Sequence, residues 1–238
     1  MPKITFKYIG NYSHNVAERP APAKSFTPDW FRKMESYDRS PDNPQGNKLL
    51  VRDGYSNATA KKCTPMLDAI TGGYVIPLWA DVQITQTDTD PIITWRVQKE
   101  VFDLHGPSGR KIPAPPGFNQ VVFKYLTWLR IETPAGYSTM ITPPAGHYDS
   151  PFHAVSATVD TDKSLIDSNI PLWISSDFEG IVEKGTPVAQ LMPFKRESWT
   201  SNFDVMSDEQ YMYERERGVE STIKNNYIKN IWSKKSYK

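Results

Sequence analysis

Residues 121–196 contain a series of short apolar stretches that decide the fold class. The stretches are separated by turn clusters and read VVFKYLTWLRIET (121–133), YSTMITPP (137–144), HAVSATVDT (153–161), IPLWISSD (170–177), EGIVEKG (179–185) and VAQLMPF (188–194). Short strands at such close spacing favour a barrel or a sandwich over alternating βαβ units. The sequence therefore predicts a mainly β core of the barrel or jelly-roll-like kind.

Two short helices are predicted ahead of this core. Thr27-Pro28 and Thr64-Pro65 each place a hydroxyl that can cap a helix before a proline suited to the first helical turn. The first helix is expected to pack its aromatic pair (30–31) inward. The second is expected over MLDAI (66–70), because Gly72-Gly73 ends it.

A longer helix is predicted near the end of the sequence. Ser207 and Gln210 form a capping box, and the helix is expected to run to about Lys234. Apolar side chains recur every four residues along it and form a predicted packing stripe. The stripe comprises Val219, Ile223, Tyr227 and Ile231.

The predicted organisation has a core and two flanking segments. A strand, a short helix and long loops occupy residues 1–60 and pack on the core. The β-rich core spans residues 61–200, and a C-terminal helical segment with a basic tail spans residues 201–238.

Composition excludes several classes of protein. The 238 residues carry a formal net charge of +1, so there is no overall field that would attract nucleic acid or an anionic membrane. No segment approaches the roughly 18 consecutive apolar residues of a membrane span, so a soluble protein without membrane partners is expected. The opening MPKITFKYIG lacks the pattern of a signal peptide, which predicts a cytosolic location.

Cys63 is the single cysteine of the sequence. One thiol excludes an intrachain disulfide and any zinc site built from several thiolates. Because free cysteine most often behaves as a small hydrophobe, Cys63 is predicted to be buried.

Four long motifs carry a resemblance to a family. They are PDWF (28–31), KKCTPMLDAITGGYVIPLWAD (61–81), VDTD (159–162) and GTPVAQLMPFKRESW (185–199). Together they resemble a family of uncharacterised proteins encoded by tailed bacteriophages. The resemblance implies a place of action in the host cytoplasm or in the virion, and no particular activity.

A second resemblance covers residues 133–194. TPAGYSTMITP (133–143), VDTD and KGTPVAQLMPF (184–194) are similar, in order and spacing, to motifs of the dUTPase and dCTP deaminase family. That family has a trimeric β-clip fold, so the resemblance implies a β-clip core and a trimer as one form of self-association. It also implies that Asp160 is a water-activating catalytic carboxylate and that Gln190 contacts phosphate.

Asp162 and Tyr137 are further ligand-binding candidates under this resemblance. Two departures from the family pattern affect the chemistry. AGHYDSPF (145–152) stands where a basic residue and serines would hold phosphates, and KSLIDSN (163–169) stands where an aromatic residue and a glycine would hold base and sugar. Shared scaffolds commonly host unrelated functions, so the resemblance favours the fold over the activity.

His147-Tyr148-Asp149 followed by His153 suggests a different chemistry. Two histidines and one carboxylate form the iron site of non-haem oxygenases, so His147, Asp149 and His153 are candidate metal ligands. No histidine follows His153, where such a site would place its distant ligand, and polar turn residues are the alternative interpretation. No cofactor is predicted, although a divalent metal at this triplet is an open alternative.

Asp160, Asp162 and Asp167 form a second group of oxygen ligands that a hard cation could use. The group lacks the glycine and the spacing of an EF-hand loop. Solvated turn carboxylates are the alternative interpretation.

The basic tail, residues 221–238, contains no acidic residue. Its lysines are Lys224, Lys229, Lys234, Lys235 and Lys238, and they are interleaved with Tyr227, Trp232 and Tyr237. Such a mixture can grip phosphate while stacking a base, which makes nucleic acid one candidate partner. The alternative is an amphipathic helix that packs on its own core or on a neighbouring subunit.

No complete catalytic site is found in the sequence. The leading hypothesis is a phage-encoded, non-catalytic β protein that associates with itself and with phage or host proteins, as a virion component or as an accessory factor directed at the host. One alternative is a divergent nucleotide-binding or nucleotide-hydrolysing protein. Another is a non-haem metal enzyme.

Overall fold

The computed structural model describes residues 1–10, 18–52, 55–106, 111–223 and 227–238, and its account of side chains omits residues 219–223 and 227. The described residues form two compact units. Unit 1 comprises Met1–Thr27, Ile70–Arg196 and Tyr237–Lys238, and unit 2 comprises Pro28–Ala69 and Glu197–Ser236. Unit 2 thus takes residues from both flanking segments, 1–60 and 201–238, which the sequence prediction kept apart.

The secondary structure is mainly β. The strands are β1 (Thr5–Tyr8), β2 (Ala21–Pro22), β3 (Val51–Arg52), β4 (Tyr55–Ser56), β5 (Tyr74–Pro77), β6 (Val82–Thr85), β7 (Ile92–Trp95), β8 (Phe102–Leu104), β9 (Phe123–Tyr125), β10 (Leu129–Glu132), β11 (Tyr137–Thr142), β12 (Phe152–Ala154), β13 (Ala157–Val159), β14 (Ile170–Ile174), β15 (Gly180–Val182) and β16 (Pro187–Lys195). The α-helices are α1 (Asp29–Lys33), α2 (Thr64–Thr71) and α3 (Asp208–Ile223), with 3₁₀ turns at Ala23–Phe26 and Ala60–Lys62 and a π-helical turn at Tyr227–Ile231. The predicted fold class, mainly β with short N-terminal helices and a C-terminal helix, is confirmed.

Unit 1 is built from antiparallel sheets. A five-stranded sheet has the order β13-β11-β16-β5-β2, and a four-stranded sheet has the order β12-β14-β9-β8. A three-stranded sheet, β15-β6-β7, and the pair β1-β10 complete the unit. Each apolar stretch predicted between residues 121 and 196 overlaps at least one of these strands. None of the sheets in the described residues closes into a barrel.

The core of unit 1 draws side chains from all of these sheets. Tyr125 lies at its centre, where its hydroxyl donates to the carbonyl oxygen of Pro77 (2.7 Å) and accepts from the backbone N–H of Trp79 (3.0 Å). The Trp79 indole N–H donates to the carbonyl oxygen of Leu126 (2.8 Å). These bonds satisfy the polar atoms that the aromatic side chains bring into the core, which is the condition for burying them.

Unit 2 begins with α1 and a loop organised by buried polar contacts. Phe31 is buried, as predicted, and Lys61 donates to its carbonyl oxygen (2.6 Å). The side chain of Asn43 is buried as well and donates to the carbonyl oxygens of Asp38 (3.2 Å) and Lys48 (3.1 Å). The long polar loop predicted here is therefore held by its own asparagine.

Cys63 is exposed, so the prediction that it is buried is wrong. It ends the 3₁₀ turn Ala60–Lys62 with extended backbone angles, and its N–H donates to the carbonyl oxygen of Ala60 (3.0 Å). A residue at such a turn contributes backbone to the structure and leaves its side chain outside the core.

Helix α3 begins as predicted. The Ser207 hydroxyl accepts from the backbone N–H of Gln210 (3.2 Å), which is one half of the predicted capping box. The Gln210 side chain donates to Glu214 (3.0 Å) instead of returning to the cap. The described part of the helix reaches Ile223, residues 224–226 lie outside the described residues, and a π-helical turn follows at Tyr227–Ile231. Residues 232–238 are not helical, so the predicted end at about Lys234 lies three residues beyond the last helical turn.

The predicted packing stripe along this helix is described only at its last member. The side chains of Val219, Ile223 and Tyr227 lie outside the described part of the structure. Ile231 is 59% exposed, so it does not pack in the way that the four-residue spacing predicted. None of the helices in the described ranges is both long enough and apolar enough to cross a lipid bilayer.

Candidate functional site

Three segments of unit 1 converge at the start of β11. The strand lies between β13 and β16, and it is antiparallel to both. The first residues of β11 are therefore next to the last residues of its two neighbours. This arrangement brings Ser138 of β11, Asp160 and Asp162 after β13, and Arg196 after β16 into one group, which we call the aspartate–arginine cluster.

Asp162 and Arg196 form a two-pronged ion pair in this cluster. Arg196 Nη1 lies 2.8 Å from Asp162 Oδ1, and Arg196 Nη2 contacts Oδ2. The backbone N–H of Gly136 donates to the same Oδ2 (2.8 Å). These hydrogen bonds hold the pKa of the Asp162 carboxyl far below its ordinary value, and the bond from Arg196 contributes most. Removal of the carboxyl from water opposes this shift. Asp162 is thus a fixed anion that links the ends of three strands.

Asp160 belongs to the same network. Its Oδ1 accepts from the Ser138 hydroxyl (2.6 Å) and lies 3.2 Å from Arg196 Nη1. Arg196 Nη1 also donates to the carbonyl oxygen of Tyr137 (3.0 Å). The Asp160 side chain is 52% exposed. The resemblance assigned Asp160 a catalytic role and Asp162 and Tyr137 a ligand-binding role; in the structure these three residues lie together and bind Arg196.

The charge of the cluster bears on what it can bind. Two carboxylates surround one guanidinium, and the ion pairs engage both Nη atoms of Arg196. The group carries a net negative charge, which disfavours the phosphates of a nucleotide. Geometry of this kind is suited to joining strand ends.

Sequence reasoning did not identify Ser138 and Arg196 as members of this cluster. Arg196 lies two residues beyond the apolar stretch VAQLMPF. Nothing in the local pattern pairs it with an aspartate 34 residues earlier in the chain. The register of β11 against β16, which places Tyr137 opposite Lys195, is the information that would have placed Arg196 in the cluster.

Gln190 lies in β16 and is buried. Its Nε2 donates to the carbonyl oxygen of Gly72 (2.7 Å), and its Oε1 accepts from the N–H of Ala145 (2.8 Å). Both ends of the amide are therefore bonded to backbone. Gln190, to which the resemblance assigned contact with phosphate, therefore connects two turns of unit 1.

The predicted metal triplet does not form a metal-binding group. Within the described ranges no three His, Cys, Asp or Glu side chains lie close enough together to hold a metal ion. His147 Nε2 donates to the carbonyl oxygen of Phe26 (2.8 Å). His153 packs its ring against Phe118 and Trp173, with centroids 5.2 and 6.0 Å away, and burial lowers its pKa.

Asp149, the third residue of the predicted triplet, is exposed. It is near the two histidines in sequence but forms no metal-binding group with them. Among the described residues, the carboxylates of Asp160, Asp162 and Asp167 also form no metal-binding group. Arg196 neutralises part of the charge of Asp160 and Asp162.

Within unit 2, part of the basic tail is bonded to α2. The indole N–H of Trp232 donates to Asp68 Oδ2 (2.9 Å), and the Lys235 ammonium contacts the same oxygen. Burial of Asp68 opposes its ionisation, yet the hydrogen bonds from Lys235 and Trp232 outweigh burial and lower its pKa. Trp232, one of the aromatic residues considered for stacking on bases, is thus half-buried.

Tyr237 is the second aromatic residue of the tail with a described side chain, and it belongs to unit 1. Its ring packs edge-on against Tyr74 with centroids 5.9 Å apart, and its hydroxyl lies 3.4 Å from the Met192 sulfur. Both aromatic residues of the basic tail whose side chains are described therefore pack within the protein.

Residues 197–218, which we call the exposed arm, have the opposite character. Every residue of the arm is exposed, including several large apolar side chains. Trp199 is 86% exposed, Phe203 94% and Val205 92%. Large apolar groups exposed in one continuous segment are typical of a surface that contacts another molecule.

Comparison with known proteins adds no relative. The chain matches no protein-family model and no curated protein sequence. Function is therefore argued from the geometry of the chain itself.

Proposed function

We propose that this chain is a phage-encoded, non-catalytic protein that acts by association with other protein chains. The observation that carries the proposal is the exposed arm. Trp199 and Phe203 expose nearly all of their surface, and aromatic side chains are enriched at the centres of protein interfaces. Burying them against a partner would remove apolar surface from water, which is the main favourable term in association.

The aspartate–arginine cluster supports a role without catalysis. Asp160 Oδ1 accepts from the Ser138 hydroxyl and lies beside Arg196, so this oxygen is engaged in joining strand ends. Gln190, the other residue implied by the nucleotide resemblance, has its amide bonded to Gly72 and Ala145. The nucleotide-hydrolysing alternative therefore receives less support than association.

The phage setting comes from the four motifs that resemble a tailed-bacteriophage family. Two roles fit a non-catalytic protein in that setting, namely a component of the virion and an accessory factor directed at the host. Mass spectrometry of purified mature particles distinguishes them. Peptides of the chain in the particles indicate a virion component, and abundance in infected cells without particle peptides indicates an accessory factor.

Site-specific photo-crosslinking tests the association itself. Benzoylphenylalanine replaces Trp199 or Phe203 in the full chain, which is expressed in cells infected with the phage that encodes it. We expect covalent adducts with protein from both positions. The matched control is the same amino acid at Leu165, which is 81% exposed and lies outside the arm. Adduct yields at Trp199 and Phe203 no higher than at Leu165 would contradict the proposal.

A further inference from the structure

A proline-rich segment of unit 1, residues 113–116, lies between β8 and β9 in sequence, and we call it the proline ridge. It reads Pro-Ala-Pro-Pro, and its first three residues are neither helix, strand nor turn. Each proline ring fixes φ at about −65°. Ala114 and Pro115 each precede a proline, which disfavours helical backbone angles at both. A chain restricted in this way adopts the polyproline II conformation.

A tight turn holds the end of the ridge in the same conformation. The Phe118 N–H donates to the Pro115 carbonyl oxygen (3.2 Å), and Gly117 has φ +82°. A positive φ at the third of four turn residues defines a type II turn. Its second residue, here Pro116, has backbone angles close to those of polyproline II.

Exposure along the ridge follows the three-residue period of polyproline II. Pro113 and Pro116 are exposed, whereas Ala114 and Pro115 between them are half-buried. Three residues complete one turn of about 9 Å, so side chains three residues apart lie on the same side. The ridge therefore presents two proline rings to solvent on one side.

The residues after the ridge are bonded to the end of β14. The Gly117 carbonyl oxygen accepts from the backbone N–H (2.9 Å) and from the hydroxyl (3.1 Å) of Ser176. The Asn119 N–H donates to the carbonyl oxygen of Ile174 (2.9 Å). The ridge is thus ordered before a partner binds, which reduces the conformational entropy lost on binding.

The chemistry of the ridge fits a groove lined with aromatic side chains. A polyproline II backbone makes no internal hydrogen bonds, so its carbonyl oxygens can accept from the indole N–H and phenol O–H groups of such a groove. Lys111, two residues before the ridge, is exposed and pairs with no carboxylate among the described residues. A positive charge at one end of the ridge favours a groove with acidic side chains at the matching end.

We propose that the proline ridge binds a partner protein in a groove that is lined with aromatic side chains and flanked by acidic ones, as in SH3 domains. The inference rests on the proposed function, since it names the chemistry of one protein partner. It uses a surface of unit 1 that lies outside the exposed arm. The two exposed proline rings pack on the aromatic side chains, and Lys111 pairs with the carboxylates.

Titration of the full chain into an isolated SH3 domain that recognises proline-rich peptides tests the proposal. NMR spectra of the isotope-labelled domain show which of its residues are contacted. We expect saturable shifts at the aromatic and acidic residues of its groove, with a Kd of about 300 µM or tighter.

Variants of the full chain identify the contacts. Pro113→Ala/Pro116→Ala removes both exposed rings and is expected to raise the Kd about tenfold. Lys111→Glu is expected to raise the Kd as well and to reduce its dependence on salt. The matched control is Pro134→Ala, because Pro134 is an exposed proline of unit 1 outside the ridge. Circular dichroism checks that each variant keeps the wild-type fold.

Three results would overturn the inference: a Kd weaker than about 300 µM for the wild type, shifts outside the groove, or an equal Kd for the wild type and the folded double proline variant. Each of them would leave the prolines with a structural role in the loop. Failure of the proposed function looks different. If the titration fails while Trp199 still crosslinks to other proteins, association through the arm stands. If Trp199 and Phe203 give no specific adducts while the ridge binds, the ridge is a binding surface without the arm.

Discussion

At the scale of single residues, Gly73 is a position where the backbone leaves no room for a side chain. Its φ is +70°, and a Cβ added there would lie 2.0 Å from the carbonyl oxygen of Leu191. The close approach has a structural purpose, because Gly73 follows the Gly72 carbonyl that accepts from Gln190. A glycine therefore allows β16 to pack directly on this turn.

We predict that Gly73→Ala destabilises the protein by more than about 2 kcal/mol. The left-handed conformation alone costs an alanine about 1–2 kcal/mol, and the clash with backbone adds to that. Chemical denaturation measures the free energy of unfolding. Gly117→Ala is the control, since Gly117 has φ +82° but open space around its Cβ position. Equal losses in the two variants would show that the close contact has no energetic weight.

Asp162 predicts a dependence of stability on pH. Because its pKa is lowered in the folded state, the Asp162 carboxylate stabilises the fold above the pKa of the unfolded chain, about 3.9. That stabilisation is lost as the pH falls from there through the lower folded pKa. Asp162→Asn removes the charge and so should unfold at a lower temperature than the wild type at neutral pH.

The difference between wild type and Asp162→Asn is expected to stay constant from about pH 6 to 8 and to shrink below about pH 4. Thermal unfolding across this range measures it. Asp177→Asn is the control, because Asp177 is exposed and makes no ion pair among the described residues. A difference that grows as the pH falls would contradict the role given to Asp162.

The residue scale also shows what local sequence could predict. The short helix that buries Phe31 was predicted correctly, but the predicted cap was wrong: the Thr27 hydroxyl donates to the Lys24 carbonyl oxygen, and Pro28 directly precedes α1 without a side-chain cap. The burial predicted for Cys63 was wrong. The prediction used the general tendency of cysteine to be buried, and this tendency contains no information about whether Cys63 ends a turn. The partners of Asp160 could not be predicted, because Ser138 and Arg196 reach it only through the pairing of strands distant in sequence.

At the scale of elements, α3 is the clearest case of a local signal that determines a boundary. The Ser207 hydroxyl accepts from the N–H of Gln210 and satisfies one of the free donors of the first turn. The end of the helix, which was predicted at about Lys234, has no comparable local signal. Neither glycine nor proline follows Ile223 to signal a stop.

We predict that Ser207→Ala destabilises α3 by about 1 kcal/mol, the usual cost of losing such a cap. Hydrogen exchange of backbone amides in residues 208–216, measured by mass spectrometry, should become faster by roughly fivefold. Ser201→Ala provides the control, since Ser201 is exposed and precedes the helix. Unchanged exchange in Ser207→Ala would mean that the cap does not determine the start of α3.

For the strands, the sequence predicts which segments are strands better than it predicts which strands pair with each other. The largely apolar segment YVIPLWADVQIT (74–85) forms β5 and β6, which belong to different sheets. Apolar content indicated strands correctly. The division between sheets depends on residues 78–81, where Leu78 and Trp79 are buried without continuing the ladder.

At the scale of the whole molecule, the two units differ in how they use apolar side chains. Unit 1 encloses a continuous core that includes Tyr125, whereas unit 2 contains the exposed arm, whose apolar residues face water. The first arrangement stabilises a fold by itself, and the second lowers its free energy when a partner covers the arm. The proposed association with other protein chains follows from this contrast.

The sequence by itself determined the class of the fold, the two N-terminal helices and the start of α3, because each depends on neighbours within a few residues. Only the tertiary structure decided that Asp160 and Asp162 bind Arg196, that Gln190 connects two backbone turns, and that the segment after β16 is exposed. These features depend on strand register and on burial. Both are properties of contacts between residues far apart in the chain, which no local pattern contains.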